Sequence, residues 1–303
     1  MINDKIAIPE NSDDLLEKAK KIFDFLDVNE TTKNDYKMRI EVFINFIKAS
    51  GINNDSFLNF KKFLREKVDW SVSTKNKYLA TARVFLKELH KRGYLPVDIT
   101  QNIKTFNQVK KHKKIGLTEE EVKKVLNFIR TLPDSQKNLR LKTIFSLLIF
   151  QGLRQIEIAR LKINDIDFTN KIIYVQGKGQ DDTEPVPIHP ETLKYLKKYL
   201  QTNKIENGYI FVCRSNNHKN YPLTTRSIRG FVKSVFKYLN INKTTHGFRH
   251  YFVTKLLREY QGNIIEVAKY TRHKSLEMLQ VYNDDIRRFD DLPRFYKSFS
   301  SIL

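Results

Sequence analysis

Apolar residues recur at three- and four-residue spacing through the first third of the chain, the period of helices that bury one face. The pattern predicts helices over residues 13–25, 31–49, 55–67 and 73–92, most of them opened by an Asp, Thr or Ser suited to an N-cap. In the fourth, Tyr78, Ala82, Phe85 and Leu89 face inward while Lys77, Arg83, Lys87 and Lys91 stay in solvent. Residues 93–114 lose the period: they hold Pro96, few apolar anchors and the run Lys110, Lys111, His112, Lys113, Lys114. That stretch reads as a linker, which divides the chain into a helical domain over 12–100, a basic linker over 101–114 and a second domain over 115–303. The second domain opens on a capping box, Thr118 with Glu121, ahead of a helix. An apolar helix over 141–151 is broken by Gly152, after which the period shortens to that of strands at 172–175 and 185–188. Between them, Gly177-Lys178-Gly179-Gln180-Asp181-Asp182 has hairpin-turn composition, so Lys178 sits at an exposed tip. Helical spacing then returns over 191–200, 225–239, 245–260, 264–271 and 275–282. Past Pro293, Phe295, Phe299 and Ile302 give the tail one apolar face. The expected class is mainly α with a small β-sheet.

Composition narrows the partner. Of 303 residues, 55 are Lys or Arg and 34 are Asp or Glu, leaving a formal charge of +21. With 40% hydrophobic residues the chain has enough apolar material for real cores, and a surface this basic suits a polyanion, either nucleic acid or an anionic membrane. The N-terminus lacks a basic segment followed by an apolar run. The most apolar stretch, residues 144–150, is far short of the roughly 20 residues of a spanning helix. A membrane partner is therefore not expected. Cys213 stands alone, without a second cysteine for a disulfide or a metal cluster, which fits a reducing cytoplasm.

Four local signals follow one another in the second domain: Gly152-Leu153-Arg154 with Glu157, Lys178 on its turn, His246-Gly247-Phe248-Arg249-His250, and Arg272-His273-Lys274 followed by Tyr282. Each alone has an ordinary explanation: Arg154 pairs with Glu157, Lys178 is solvated, Tyr282 packs. Their chemistry is nevertheless mutually consistent. His246 and Arg249, three apart, share one helix face. Arginines so placed grip a phosphate through paired, charge-assisted hydrogen bonds. A tyrosine hydroxyl nucleophile then points to transesterification of a phosphodiester. The transition state gathers charge on nonbridging oxygens, which two arginines and two histidines can hold without a metal. The leaving 5′ oxygen needs a proton, and Lys178 is placed to donate it.

This ordered set, Arg154, Lys178, His246-x-x-Arg249, His273 and Tyr282, closely resembles the tyrosine recombinases, or phage integrase family, and the overall plan resembles its Xer branch. The resemblance implies a helical core DNA-binding domain joined to an α+β catalytic domain, closing on double-stranded DNA as a clamp. It implies a homotetramer on two recombination sites, a 3′-phosphotyrosyl intermediate on Tyr282, a Holliday junction, and no cofactor. It also implies exchange of the C-terminal segment between neighbouring protomers, with docking of the tail on its own domain as the alternative. Lys110, Lys111, Lys113 and Lys114 are the expected additional phosphate contacts. The family's pattern is not matched throughout. Arg272 stands where a small residue usually precedes the second histidine, Gly247 where an acidic residue is frequent, and Glu184 where a basic one is common. His250 matches a frequent histidine and is read as supporting the site from behind. A tyrosine-type relaxing topoisomerase and a DNA-binding protein without catalysis on the same scaffold are the competing readings. The sequence leaves open the target site, a paralogous recombinase partner, an activating DNA translocase, and a chromosomal as against a mobile-element role.

Overall fold

The computed structural model describes residues 12–48, 51–108, 116–177, 182–213, 221–273, 275–290 and 292–298. The chain divides into two compact units, one up to Val109 and one from Lys110 onward.

The first unit is built from α1 (Ser12–Ile22), a 3-10 turn at Phe23–Phe25, α2 (Glu30–Ile47), α3 (Ser56–Glu66) and α4 (Val72–Lys91). Short polar side chains set the starts: Asn29 accepts from the Thr32 amide at 3.0 Å and Ser71 from the Thr74 amide at 3.1 Å, which satisfies donors a helix leaves open at its first turn. The inward stripes meet in an aromatic core of Phe23, Phe43, Phe57, Phe60 and Phe85. Phe43 and Phe60 meet edge to face, with centroids 4.9 Å apart, the arrangement the ring quadrupole favours. The stretch expected as linker begins as a strap on this core. Ile103 and Phe106 pack against it. Asn76 donates to the Phe106 carbonyl at 3.0 Å and accepts from its amide at 2.9 Å, while Arg83 donates to the Ile103 carbonyl. Lys110, Lys111, Lys113 and Lys114 lie outside the described residues.

The second unit runs α5 (Glu119–Thr131), α6 (Gln136–Phe150), α7 (Gln155–Arg160), a 3-10 turn at Ile163–Asp165, then β1 (Ile166–Asp167), β2 (Ile172–Gln176) and β3 (Thr183–Pro187). It continues through α8 (Pro190–Asn203), α9 (Thr225–Tyr238), α10 (His246–Glu259), α11 (Ile264–Thr271), α12 (Leu276–Asp290) and α13 (Leu292–Lys297). The Thr118–Glu121 capping box forms in both directions, at 2.8 and 3.1 Å. Helix α6 is apolar nearly all round, with Leu139, Ile144, Phe145, Leu147, Leu148 and Ile149 buried, so it runs through the core and packs on α8 and α10. Its one buried cation, Lys142, reaches out to Asp134 at 2.7 Å, and Asp134 also binds Lys198 of α8 at 2.7 Å.

The sheet is antiparallel in the order β1-β2-β3, with Ile172 opposite Pro187 and Gln176 opposite Thr183. Ile173, Val175 and Val186 turn to the core, as a period of two requires. A smaller cluster of Val253, Leu257, Val267, Leu279 and Tyr282 joins α10, α11 and α12. On α13, Phe295 and Tyr296 are exposed; Phe299 and Ile302 lie outside the described residues. Among the described residues no helix is long and apolar enough to cross a membrane, and no group of His, Cys, Asp or Glu is placed to hold a metal ion.

Candidate active site

Arg249, in the first turn of α10, is buried, 3% exposed. Its Nη1 donates to the Gly152 carbonyl at 2.9 Å and its Nη2 to the Thr271 carbonyl. Both acceptors are neutral main-chain oxygens at element ends, where helices leave carbonyls unpaired. Gly152 has φ +58°, and a Cβ built there would come within 2.4 Å of the Phe252 ring. The glycine thus supplies both the left-handed turn out of α6 and the close approach of α10. Burial first, then Arg154 and Arg272, pulls the Arg249 pKa down to about 9, so the guanidinium is charged at neutral pH.

Arg154 stands at the N-cap of α7. Glu157 ties it down twice, accepting its amide at 2.7 Å on Oε2 and its Nη1 at 2.8 Å on Oε1. The carboxylate is fully buried. It accepts a third hydrogen bond, at 2.7 Å, from Nη2 of Arg272. One glutamate therefore orients two guanidiniums, an arrangement that an (i, i+3) salt-bridge reading of Arg154 captures only in half.

Thr271, fully buried at the last turn of α11, works on two residues at once. Its carbonyl takes Arg249, and its Oγ1 lies 2.9 Å from Nδ1 of His273. His273 is half-buried, and its ring centroid is 6.1 Å from that of Tyr282. Tyr282, on α12, is 3% exposed and meets His250 edge-on at 4.8 Å. Burial raises its pKa above the usual tyrosine value, and the nearby charges of Arg249 and Arg154 oppose that rise. His250 in turn fills the space a Cβ on Gly116 would need, 2.3 Å from His250 Nδ1. His246 is exposed on the first turn of α10.

The structure thus brings Arg154, Arg249, His273 and Tyr282 into one neighbourhood and puts His246 on the same helix as Arg249. Lys178 lies outside the described residues. Thr271 and Glu157 are the organisers that motif reading did not single out as site residues.

The sequence profile of the phage integrase family matches residues 116–287. The chain belongs to that family. Members of the phage integrase family are DNA strand-exchange enzymes, and several relatives of this chain carry the names XerA or XerC. It is 33% identical over 167 residues to tyrosine recombinase XerA of Pyrococcus horikoshii, a match that spans 55% of each chain, so about half the length of that relative. Tyrosine recombinase XerC of Lactobacillus delbrueckii subsp. bulgaricus is 30% identical over 220 residues, 69% of this chain and 71% of that one. The tyrosine recombinase of Thermosipho africanus is 27% identical over 84% of this chain and 88% of its own. Among solved structures, the XerH site-specific recombinase bound to palindromic difH substrate aligns with a TM-score of 0.74 at 20% identity, over 97% of this chain and 85% of that one. A lambda integrase dimer bound to a COC′ core site aligns at 0.67 and 18%, over 91% and 78%. At these identities the structural likeness speaks for the fold, which is that of this family.

Proposed function

We propose that this chain is a Xer-type site-specific recombinase that cleaves and rejoins double-stranded DNA through a 3′-phosphotyrosine on Tyr282. The observation that carries the reading is the joint anchoring of Arg249 and His273 by Thr271, beside a buried Tyr282 that lies in the field of Arg249 and Arg154. Arg154 and Arg249 grip the nonbridging oxygens of the scissile phosphate, joined there by His273 and His246, and the grip tightens as charge gathers in the transition state. The Tyr282 oxygen attacks phosphorus while one of the two histidines receives its proton. The bond from phosphorus to the 5′ oxygen breaks, and Lys178 protonates that oxygen as it leaves. In religation a 5′ hydroxyl from the partner duplex attacks the phosphotyrosine and regenerates Tyr282, so the bond energy is kept without a cofactor. In this reading four protomers hold two sites, and Lys110, Lys111, Lys113 and Lys114 add phosphate contacts. The biological setting is resolution of chromosome or plasmid dimers, or integration and excision of a mobile element.

The test is to incubate the protein with sheared DNA from its own source, denature, recover protein-linked DNA and sequence its ends. The expected result is a recurrent short site joined through its 3′ phosphate to Tyr282, with no adduct from Tyr282→Phe. An adduct that persists in Tyr282→Phe, or DNA held without any adduct, overturns the assignment.

A further inference from the structure

Arg272 combines two unfavourable features that no other described residue shares. It caps α11 in the left-handed region, at φ +54°. The other five non-glycine residues with positive φ, Asn102, Lys171, Lys204, Asn240 and Gln261, are all exposed at turns. The Arg272 side chain is only 4% exposed. A glycine in this cap would relieve the backbone and remove the buried charge together, so the arginine needs a compensating interaction.

The protein supplies only part of that interaction. Nη2 of Arg272 donates to Glu157, and Nε lies 3.9 Å from Glu184, whose side chain is 37% exposed. Nη1 is buried and has no hydrogen-bond partner. The carboxylate of Glu157 is already shared with Arg154, and Arg249 has only neutral carbonyls for partners. Three guanidiniums therefore lie around a single fully buried carboxylate: burial first, then the charge of Arg154, lowers the pKa of both Arg249 and Arg272, and Arg272 adds to the effect on Arg249. Buried charges of one sign call for a counter-charge, and the planar guanidinium fork matches the oxygens of a phosphate.

We propose that Arg272 is a third phosphate-binding arginine of the active site, whose Nη1, unpartnered beneath the surface in the free protein, is uncovered by a small side-chain shift and donates to a nonbridging oxygen of the scissile phosphodiester. The identity of that phosphate as DNA rests on the recombinase reading above; the capacity to bind a phosphate oxygen does not. Arg272 also faces Glu157, so the proposal must be separated from a role in merely holding that carboxylate.

Two measurements decide it, each on the full chain and on Arg272→Gly, which suits the left-handed cap, and Arg272→Lys, which keeps a charge for Glu157 without the fork. The first is thermal unfolding in inorganic phosphate against chloride at equal ionic strength. A ligand of the folded state raises the melting point, so phosphate should stabilise the wild type beyond chloride, and that increment should fall by more than half in both variants. A wild type that phosphate does not stabilise, or equal increments in all three, overturns the proposal. The second is single-turnover adduct formation on the trapped site. Arg272→Gly should be slower by about 100-fold, the scale for one preorganised donor, with duplex affinity nearly unchanged. On a duplex with a neutral methylphosphonate at the scissile position the same comparison should shrink to under about 10-fold, because the charge the donor serves is gone. An equal loss on both duplexes would assign Arg272 to positioning Glu157 and overturn direct contact. Should the wild type form no adduct at all, the recombinase reading fails, and the phosphate increment still decides the inference.

Discussion

Oε2 of Glu157 accepts a hydrogen bond at 2.7 Å from Nη2 of Arg272, 115 residues further along the chain, in a place where neither side chain is more than 4% exposed. The pair joins α7 to the end of α11. Removing one partner of a buried ion pair leaves the other charge unpaired, which costs about 3–5 kcal/mol. Glu157→Ala should therefore lower unfolding stability by that order in urea. Glu157→Gln, which keeps an acceptor oxygen, should lose less. Equal stability of Glu157→Ala and wild type would show that the pair contributes nothing.

A second expectation concerns Gly152. Alanine there would hold a left-handed backbone and drive its methyl into the Phe252 ring. The combined backbone and packing cost is at least about 2 kcal/mol. Because the displaced carbonyl is an anchor of Arg249, adduct formation should fall as well. Urea midpoints and single-turnover rates report the two effects separately.

Asp134 gives a pH dependence. Hydrogen bonds from Lys142 and then Lys198 hold its pKa at about 2, below the ordinary 3.8. A depressed carboxylate contributes stability that is present above its unfolded pKa and lost as pH falls through the folded one. The window is thus pH 4 down to 2. The carboxylate is 40% exposed, so solvent screens it and Asp134→Asn should cost about 1 kcal/mol at pH 7. The difference between variant and wild type should shrink through this window and vanish only below pH 2. A difference that is constant across this range would mean the lysine contacts carry no charge-dependent stability.

For Lys178, the outcome depends on the leaving group. Lys178→Ala should slow adduct formation by about 10²–10⁴-fold on an ordinary duplex, the range for a lost general acid. On a duplex with sulfur in place of the 5′ oxygen the loss should nearly disappear, because a thiolate leaves without a proton. Equal losses would reduce Lys178 to a phosphate contact.

Much of this architecture was readable along the chain, because helical spacing and caps are local. The capping box at Thr118, the helix at 264–271 and the hairpin strands around Lys178 all follow from neighbouring residues. The start of α6 was not readable. Lys137, Arg140 and Lys142 interrupt its apolar run, and only Asp134 explains how Lys142 is buried there. The two-residue β1 is too short to show a period, and α12 continues past Tyr282, where residue spacing had ended the helix. The site was legible as residue types in order, since Arg154, the His246-x-x-Arg249 pair, His273 and Tyr282 carry their chemistry in their side chains. Its organisers were not. Thr271 acts partly through a carbonyl that every residue has, and the Arg272–Glu157 pair depends on a fold-level approach that no spacing records.

The anchoring of Arg249 has a consequence for sequence drift. Both of its acceptors are backbone oxygens, which no substitution at position 271 can delete and which a change at 152 can only shift. The orientation of this arginine is inherited with the path of the chain, whereas that of Arg154 hangs on a single carboxylate and is lost in one codon change at Glu157. Lineages of this scaffold should therefore be able to lose the first arginine's alignment in one step, while the second endures for as long as α6, α10 and α11 keep their places.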